Sequence, residues 1–184
     1  MPSGGSTAML DAEALRRALG PLEFSAGELD DLLAAARQMA PQGIRIRSTD
    51  LADQLGFPIR RVPWHPRAFV VDRGHRVSRQ LHYAAGQSYN QDVGSLLAVT
   101  WLDVRPGQRV CDLCAAPGGK STAILEDLRG SGWLLANEVI HSRVGALQFN
   151  LARFGSPCYA ISQLDPVQLS ERTGAVFDRV LVDA

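Results

Sequence analysis

Residues 111–122, Cys-Asp-Leu-Cys-Ala-Ala-Pro-Gly-Gly-Lys-Ser-Thr, constrain the fold more than any other stretch, because an apolar run breaks into a small-residue turn that opens straight onto a helical pattern. Val110, Cys111 and Leu113 read as the end of a buried strand, Pro117, Gly118 and Gly119 force the turn, and 120–128 carries apolar residues at helical spacing. Glycines let a ligand approach the backbone, and the first turn of a helix offers N–H groups without intrahelical partners. That is the layout of a cofactor loop in an α/β fold. Lys120 is the only lysine of the chain, beside 18 arginines. A compact ammonium at the mouth of such a loop has uses that a planar guanidinium does not serve equally well.

Two ligand readings compete for this loop. A phosphate-binding P-loop needs G-x-x-x-x-G-K-[ST], and Gly119, Lys120 and Ser121 fit its second half. Cys114 stands where the first glycine belongs, however, and Ala115, Ala116 and Pro117 fill the loop with Cβ atoms and a residue lacking a donor N–H. A nucleotide-binding P-loop is therefore the lesser alternative. A plain strand-to-helix turn accounts for the Gly-Gly pair but not for the whole string.

The rest of the chain divides into two expected domains. Over 1–80, Asp11 caps a helix to Leu19 that Gly20 ends, and Ser25 with Glu28 forms a capping box for a second helix through Met39. A short strand over 44–47, a helix opened by Ser48 or Thr49 and running to Leu55, and an extended run over 60–71 around Pro63 and Pro66 complete a small mixed α/β unit. Over 81–184, a helix from Asn90 to about Leu102 precedes four strands that alternate with helices, the later three at 132–137, 158–161 and 180–182. Such alternation predicts a parallel, doubly wound sheet, in the order 3-2-1-4.

Composition excludes several function classes. The 184 residues allow one full domain or two small ones, and 46% hydrophobic content argues against disorder. Three cysteines with a single C-x-x-C form no disulfide framework and close no zinc site, and a redox C-x-x-C would open a helix rather than straddle a strand end. Four scattered histidines show no metal spacing, so no metal is expected. The start lacks signal-peptide regions and no apolar run reaches membrane-spanning length, which makes a cytoplasmic, reducing location the expectation. Net charge is zero but uneven, with eight arginines against three acids over 41–82. Trp64, His65 and Phe69 lie among those arginines, a mixture able to stack on unpaired bases and hold phosphates. The same pattern also describes a solvated, arginine-rich surface.

The string DLCAAPGGKS resembles the S-adenosylmethionine (SAM) loop of the Nop/Sun family of RNA cytosine-5 methyltransferases. Residues 86–110 are similar to the family's lead-in to its first strand, with Tyr89, Gln91 and Ser95 in register, and 136–155 and 177–184 resemble later strands and helices. In the N-terminal half, IRIRSTDLADQLG and VPWHPRAFVV are similar to the RsmF-type branch, although Ser48-Thr49-Asp50-Leu51 stands where the family usually has Asn-Thr-Leu-Lys. The resemblance implies a Rossmann-like class I methyltransferase domain over 81–184, preceded by an RNA-contacting domain over 1–80. It implies SAM as cofactor and RNA as partner, ribosomal RNA more than transfer RNA.

It also implies a cofactor site made of Cys114, Ala115, Ala116, Pro117, Gly118, Gly119 and Lys120, with Glu138 on the ribose hydroxyls, Asp165 beside the adenine and Asp183 ending the fourth strand. Acids at the carboxyl ends of parallel strands are the ones placed to accept from a ligand there. Taken alone, Glu138 is a helix-start acid favoured by the dipole and Asp165 a turn residue before Pro166. Arg143 is secondary. In the family a Pro-Cys-Ser-Gly segment would follow the position of Ala184 and a second cysteine comes later. One of the two attacks carbon 6 of cytosine and the other helps release the product. Cys111, Cys114 and Cys158 read instead as buried small residues. The resemblance thus implies a truncated, cofactor-binding part of an enzyme, inactive alone. The alternative is a SAM- or RNA-binding remnant without chemistry.

Overall fold

The computed structural model describes Arg17 and residues 25–37, 42–72 and 74–183. The helix expected over 11–19 lies, Arg17 apart, outside the described residues. The chain forms two compact units, Met1–Ala40 and Pro41–Ala184. In the first, α1 (Ala26–Arg37) opens on the expected capping box: Ser25 N and Oγ donate to Glu28 Oε2 at 2.9 and 2.7 Å, and Glu28 N donates to Ser25 Oγ at 3.3 Å.

The second unit contains two sheets. The first is antiparallel, in the order β2-β3-β1-β4, from β1 (Gln42–Ile46), β2 (Ile59–Arg61), β3 (Ala68–Val71) and β4 (Ser88–Asn90). The run 60–71, expected as one extended segment, folds back on itself, since Pro63 and Pro66 sit in a turn closed by Val62 N donating to Ala68 O at 3.0 Å. Ser48 accepts from Asp50 N, as its cap role requires, but the turn it opens, Thr49–Gln54, is a 3-10 helix. Ile44, Ile46, Leu51, Leu55, Phe69, Val71 and Val77 form the core on one face of this sheet. After the short α2 (Leu81–Ala84), the helix expected from Asn90 begins later. Ser88–Asn90 is drawn into pairing with β1, and the Asp92 carboxylate then accepts from Gly94 N at 2.6 Å and Ser95 N at 3.3 Å, a local turn that delays α3 to Leu96–Leu102.

The second sheet is parallel. β5 (Arg109–Asp112), α4 (Gly119–Leu128), β6 (Trp133–Asn137), α5 (His141–Phe154), β7 (Tyr159–Ser162), α6 (Pro166–Thr173) and β8 (Arg179–Leu181) alternate, with strand order β7-β6-β5-β8, the expected 3-2-1-4. Period-two alternation splits its side chains between two cores. Val110, Leu134 and Ala136 join Val99, Ile124 and Leu147 from α3, α4 and α5, while Cys111 and Leu135 meet Leu169 of α6 on the opposite face. Helices on both faces explain why the inner positions of β5 and β6 are apolar on both faces rather than alternating. No described helix is long and apolar enough to cross a membrane.

Candidate cofactor-binding site

Strand order reverses at β5, which pairs with β6 on one side and β8 on the other, so the connections leaving β5 and β8 diverge and open a crevice at their carboxyl ends. A cleft of about 480 Å³ lies there. Cys114, Ala115, Ala116, Pro117, Gly119 and Lys120 form its floor, 89–92 with Ser95 form a wall, and Arg143 and Asp183 close its sides.

Backbone bonds hold the loop rigidly. Ala115 N donates to Asn137 O at 2.9 Å, Gly118 N to Ala115 O at 2.7 Å and Thr122 N to Gly118 O at 2.9 Å. Asn150 Nδ2 donates to Pro117 O at 2.8 Å, and Arg143 Nη2 to Ala116 O at 2.6 Å. Gly118 is the N-cap of α4 with φ +106°, a conformation that side-chain-bearing residues rarely adopt. At Gly119 a Cβ would stand 3.2 Å from Gln91 Nε2 and 3.3 Å from Tyr89 Cε1. One glycine serves the turn, the other the close approach of wall and floor.

Charge gathers at the cleft edge. Lys120 Nζ pairs with Asp183 Oδ2, so the chain's only lysine and the acid beyond β8 meet as partners. Behind them Asp112, 1% exposed, accepts from Ser121 Oγ at 2.6 Å. Burial pushes the Asp112 carboxyl up to about 6, opposed by the Ser121 hydroxyl, the Cys114 N–H and the Lys120 ammonium and reinforced by Asp183. Asp112 was legible only as an acid closing an apolar strand.

Glu138 and Asp165 take different places. Glu138, 3% exposed, accepts from Ala116 N at 3.3 Å and Ile140 N at 2.9 Å and faces Arg143 Nη1 at 3.5 Å. It braces the loop from behind and is not part of the cleft lining. Asp165 caps α6 by accepting from Val167 N at 2.8 Å, is exposed, and also lies outside that lining. Asn137 escaped sequence reasoning altogether. Fully buried, it donates to Leu164 O at 2.9 Å and Leu113 O at 3.3 Å and accepts from Leu164 N at 3.0 Å, tying the loop after β5 to the loop after β7. A lone amide at the end of an apolar strand was its only signal.

The cysteines and the basic segment need correction. Cys111 is buried and its thiol is pushed up to about 11, mainly by burial, but Cys114 and Cys158 are half-buried rather than buried, and Cys114 faces the cleft. Of the rings set among the arginines, only Trp64 is exposed. His65 and Phe69 are enclosed, because β3 and its turn pack against cores on both sides of the antiparallel sheet. Burial, reinforced by Arg67 and Arg45, holds the His65 pKa below the ordinary histidine value. Arg45 is internal, while Arg47, Arg60 and Arg61 face solvent. Among the described residues no group of three or more His, Cys, Asp or Glu side chains is arranged to hold a metal ion.

Comparison with known proteins agrees with this geometry. Residues 99–184 match the family 16S rRNA methyltransferase RsmB/F. Ribosomal RNA small subunit methyltransferase F of Escherichia coli O81 (strain ED1a) is 32% identical over 169 residues, which cover 84% of this chain and 35% of that protein. The protein of the same name from Shigella dysenteriae serotype 1 is 32% identical over 174 residues, covering 87% of this chain and 36% of its own length. The chain thus spans about a third of these curated relatives. Among solved structures, a methyltransferase homolog protein from Pyrococcus horikoshii superposes with a TM-score of 0.77 at 26% identity, over 98% of this chain and 63% of the other. NSun6 from Pyrococcus horikoshii with SFG gives 0.81 at 17% identity over 92% and 69%, a likeness of fold. The matched residues run from within α3 to the end of the described parallel sheet, the same stretch that builds the cleft floor, and this part of the chain, 99–184, belongs to the RsmB/F family of methyltransferases.

Proposed function

We propose that this chain carries the SAM-binding part of a cytoplasmic enzyme that methylates carbon 5 of cytosine in RNA, ribosomal RNA in preference to transfer RNA. The observation that carries the reading is the cleft at the strand-order reversal, floored by 114–117 with Gly119 and Lys120, while Gly118 is buried in the turn and outside the lining. SAM, when bound, supplies an electrophilic methyl group. The chain's own residues bind and orient it. The loop offers close backbone approach and Lys120 and Asp183 line one side as a charge-balanced pair, while Glu138 and Asp165, outside that lining, follow β6 and β7 and are assigned to the ribose and adenine in this reading. Glu138 spends one oxygen on each of two backbone donors and keeps accepting capacity on both. No catalytic residue is assigned to Cys111, whose raised pKa and burial remove thiolate character.

The residues 1–80 form the RNA-contacting part in this reading, with Arg47, Arg60, Arg61 and Trp64 among its exposed groups. A P-loop reading of 114–121 is disfavoured by Cys114 and Pro117. Calorimetric titration of the folded chain with SAM and, separately, with ATP tests the choice. SAM binding is expected, weakened by about 1–3 kcal/mol in Glu138→Ala. ATP binding without SAM binding overturns the reading.

A further inference from the structure

The antiparallel sheet meets α4 through one buried cation. Alternation along β1 sends Ile44 and Ile46 to one face and Arg45 to the other, where it is 1% exposed. Its guanidinium reaches four acceptors: Nε donates to Glu126 Oε1 at 3.0 Å, Nη1 to Gly119 O at 2.8 Å and Gln91 Oε1 at 2.5 Å, and Nη2 to Thr122 Oγ1 at 2.6 Å. Among the described residues Glu126 is the one acid paired with it. Gly119 belongs to the cleft floor and Gln91 to its wall, and Gln91 Nε2 passes the chain of bonds on to Ser95 Oγ at 3.1 Å. The Tyr89 ring, also in the wall, lies 5.5 Å from the Arg45 guanidinium carbon. A planar fork of fixed donors holds several acceptors at set angles, which a single ammonium cannot do.

We propose that Arg45 is a positioning residue for the cofactor cleft, fixing the floor at Gly119 against the wall at Gln91 and thereby setting affinity for SAM, without itself lining the cleft. The proposal rests on the reading of that cleft as a SAM site. A role confined to the Arg45–Glu126 ion pair makes a different prediction, and the two separate in the double variant Arg45→Met/Glu126→Leu. Replacing a buried ion pair by apolar side chains commonly preserves stability while removing the fork.

Arg45→Lys, the double variant and Arg67→Lys are compared with the parent chain. Arg67 faces the same Glu126, Nε to Oε2 at 3.4 Å, but makes no bond to Gly119 or Gln91. The measurements are SAM affinity by calorimetry and hydrogen exchange of the Gly118 and Thr122 amides, whose bonds close the loop. Both Arg45 variants are expected to bind SAM about tenfold more weakly and to exchange those amides faster, the double variant at a parental melting temperature, while Arg67→Lys matches the parent. A folded double variant with parental exchange and affinity reduces Arg45 to a structural ion pair; if it does not fold, parental behaviour of Arg45→Lys has the same meaning. A parent that binds no SAM defeats the reading of the cleft, and amide exchange then decides alone: faster exchange sustains the positioning role and unchanged exchange ends it.

Discussion

Ser121 Oγ donates to Asp112 Oδ2 at 2.6 Å, joining the last residue of β5 to the first turn of α4 with both side chains buried. The bond favours the charged carboxylate, yet desolvation wins and the carboxyl titrates at about 6 instead of 3.8. A carboxyl raised on folding binds its proton more tightly in the native state. The stability it contributes is therefore complete below about pH 4 and is lost as pH rises through 6, a change of about 3 kcal/mol. Asp112→Asn is expected to gain stability over the parent across that window and no further above it, as read from urea midpoints at pH 4, 5, 6 and 7. A constant difference between the two proteins across the series would contradict the assignment.

Gly118→Ala tests the backbone argument. At φ +106°, with the added Cβ 3.3 Å from Asn150 Cβ, alanine is strained and crowded, and a loss of roughly 1–2 kcal/mol is expected. Thermal denaturation checks it, and an unchanged melting temperature would mean that the turn has relaxed.

The exposed arginines give a salt signature. Neutralising Arg47, Arg60 and Arg61 together is expected to flatten the slope of log K against log salt for single-stranded RNA by about 2, from three lost phosphate contacts. Arg45 does not belong in that set, being internal. Fluorescence anisotropy at several salt concentrations measures the slope, and an unaltered slope returns these side chains to a solvated surface.

Thiol chemistry separates two of the three cysteines. Cys111, buried and raised to about 11, is expected to resist iodoacetamide at pH 8 in the folded chain, while half-buried Cys158 is alkylated. Mass spectrometry of the digested protein distinguishes them, and early labelling of Cys111 would show that the β5 face opens readily.

Most of the parallel half was legible in the sequence because its signals are local. Residues 110–128 carry strand, turn and helix in one continuous string, and the chemistry of Pro117, Gly118 and Gly119 forces the same turn in any context. Regular alternation of apolar strands with amphipathic helices then leaves few arrangements, of which the observed 3-2-1-4 order is one. The Ser25–Glu28 capping box was equally readable, since two residues three positions apart suffice to make it.

Tertiary structure alone decided what each polar group faces. In β1 the sequence determined that Arg45 points away from Ile44 and Ile46, but whether that face meets water or α4 depends on residues 74 to 81 positions distant. The same holds for β4, which becomes a strand only because β1 offers it a hydrogen-bonding edge, and for Asn137 and Glu138, which reach across to Leu164 and Ala116 on other loops. Local pattern reports which face a side chain occupies, because backbone geometry sets the period. What covers that face is settled by packing between segments far apart in the chain, and with it whether a charge is solvated, paired or set to hold a loop in place.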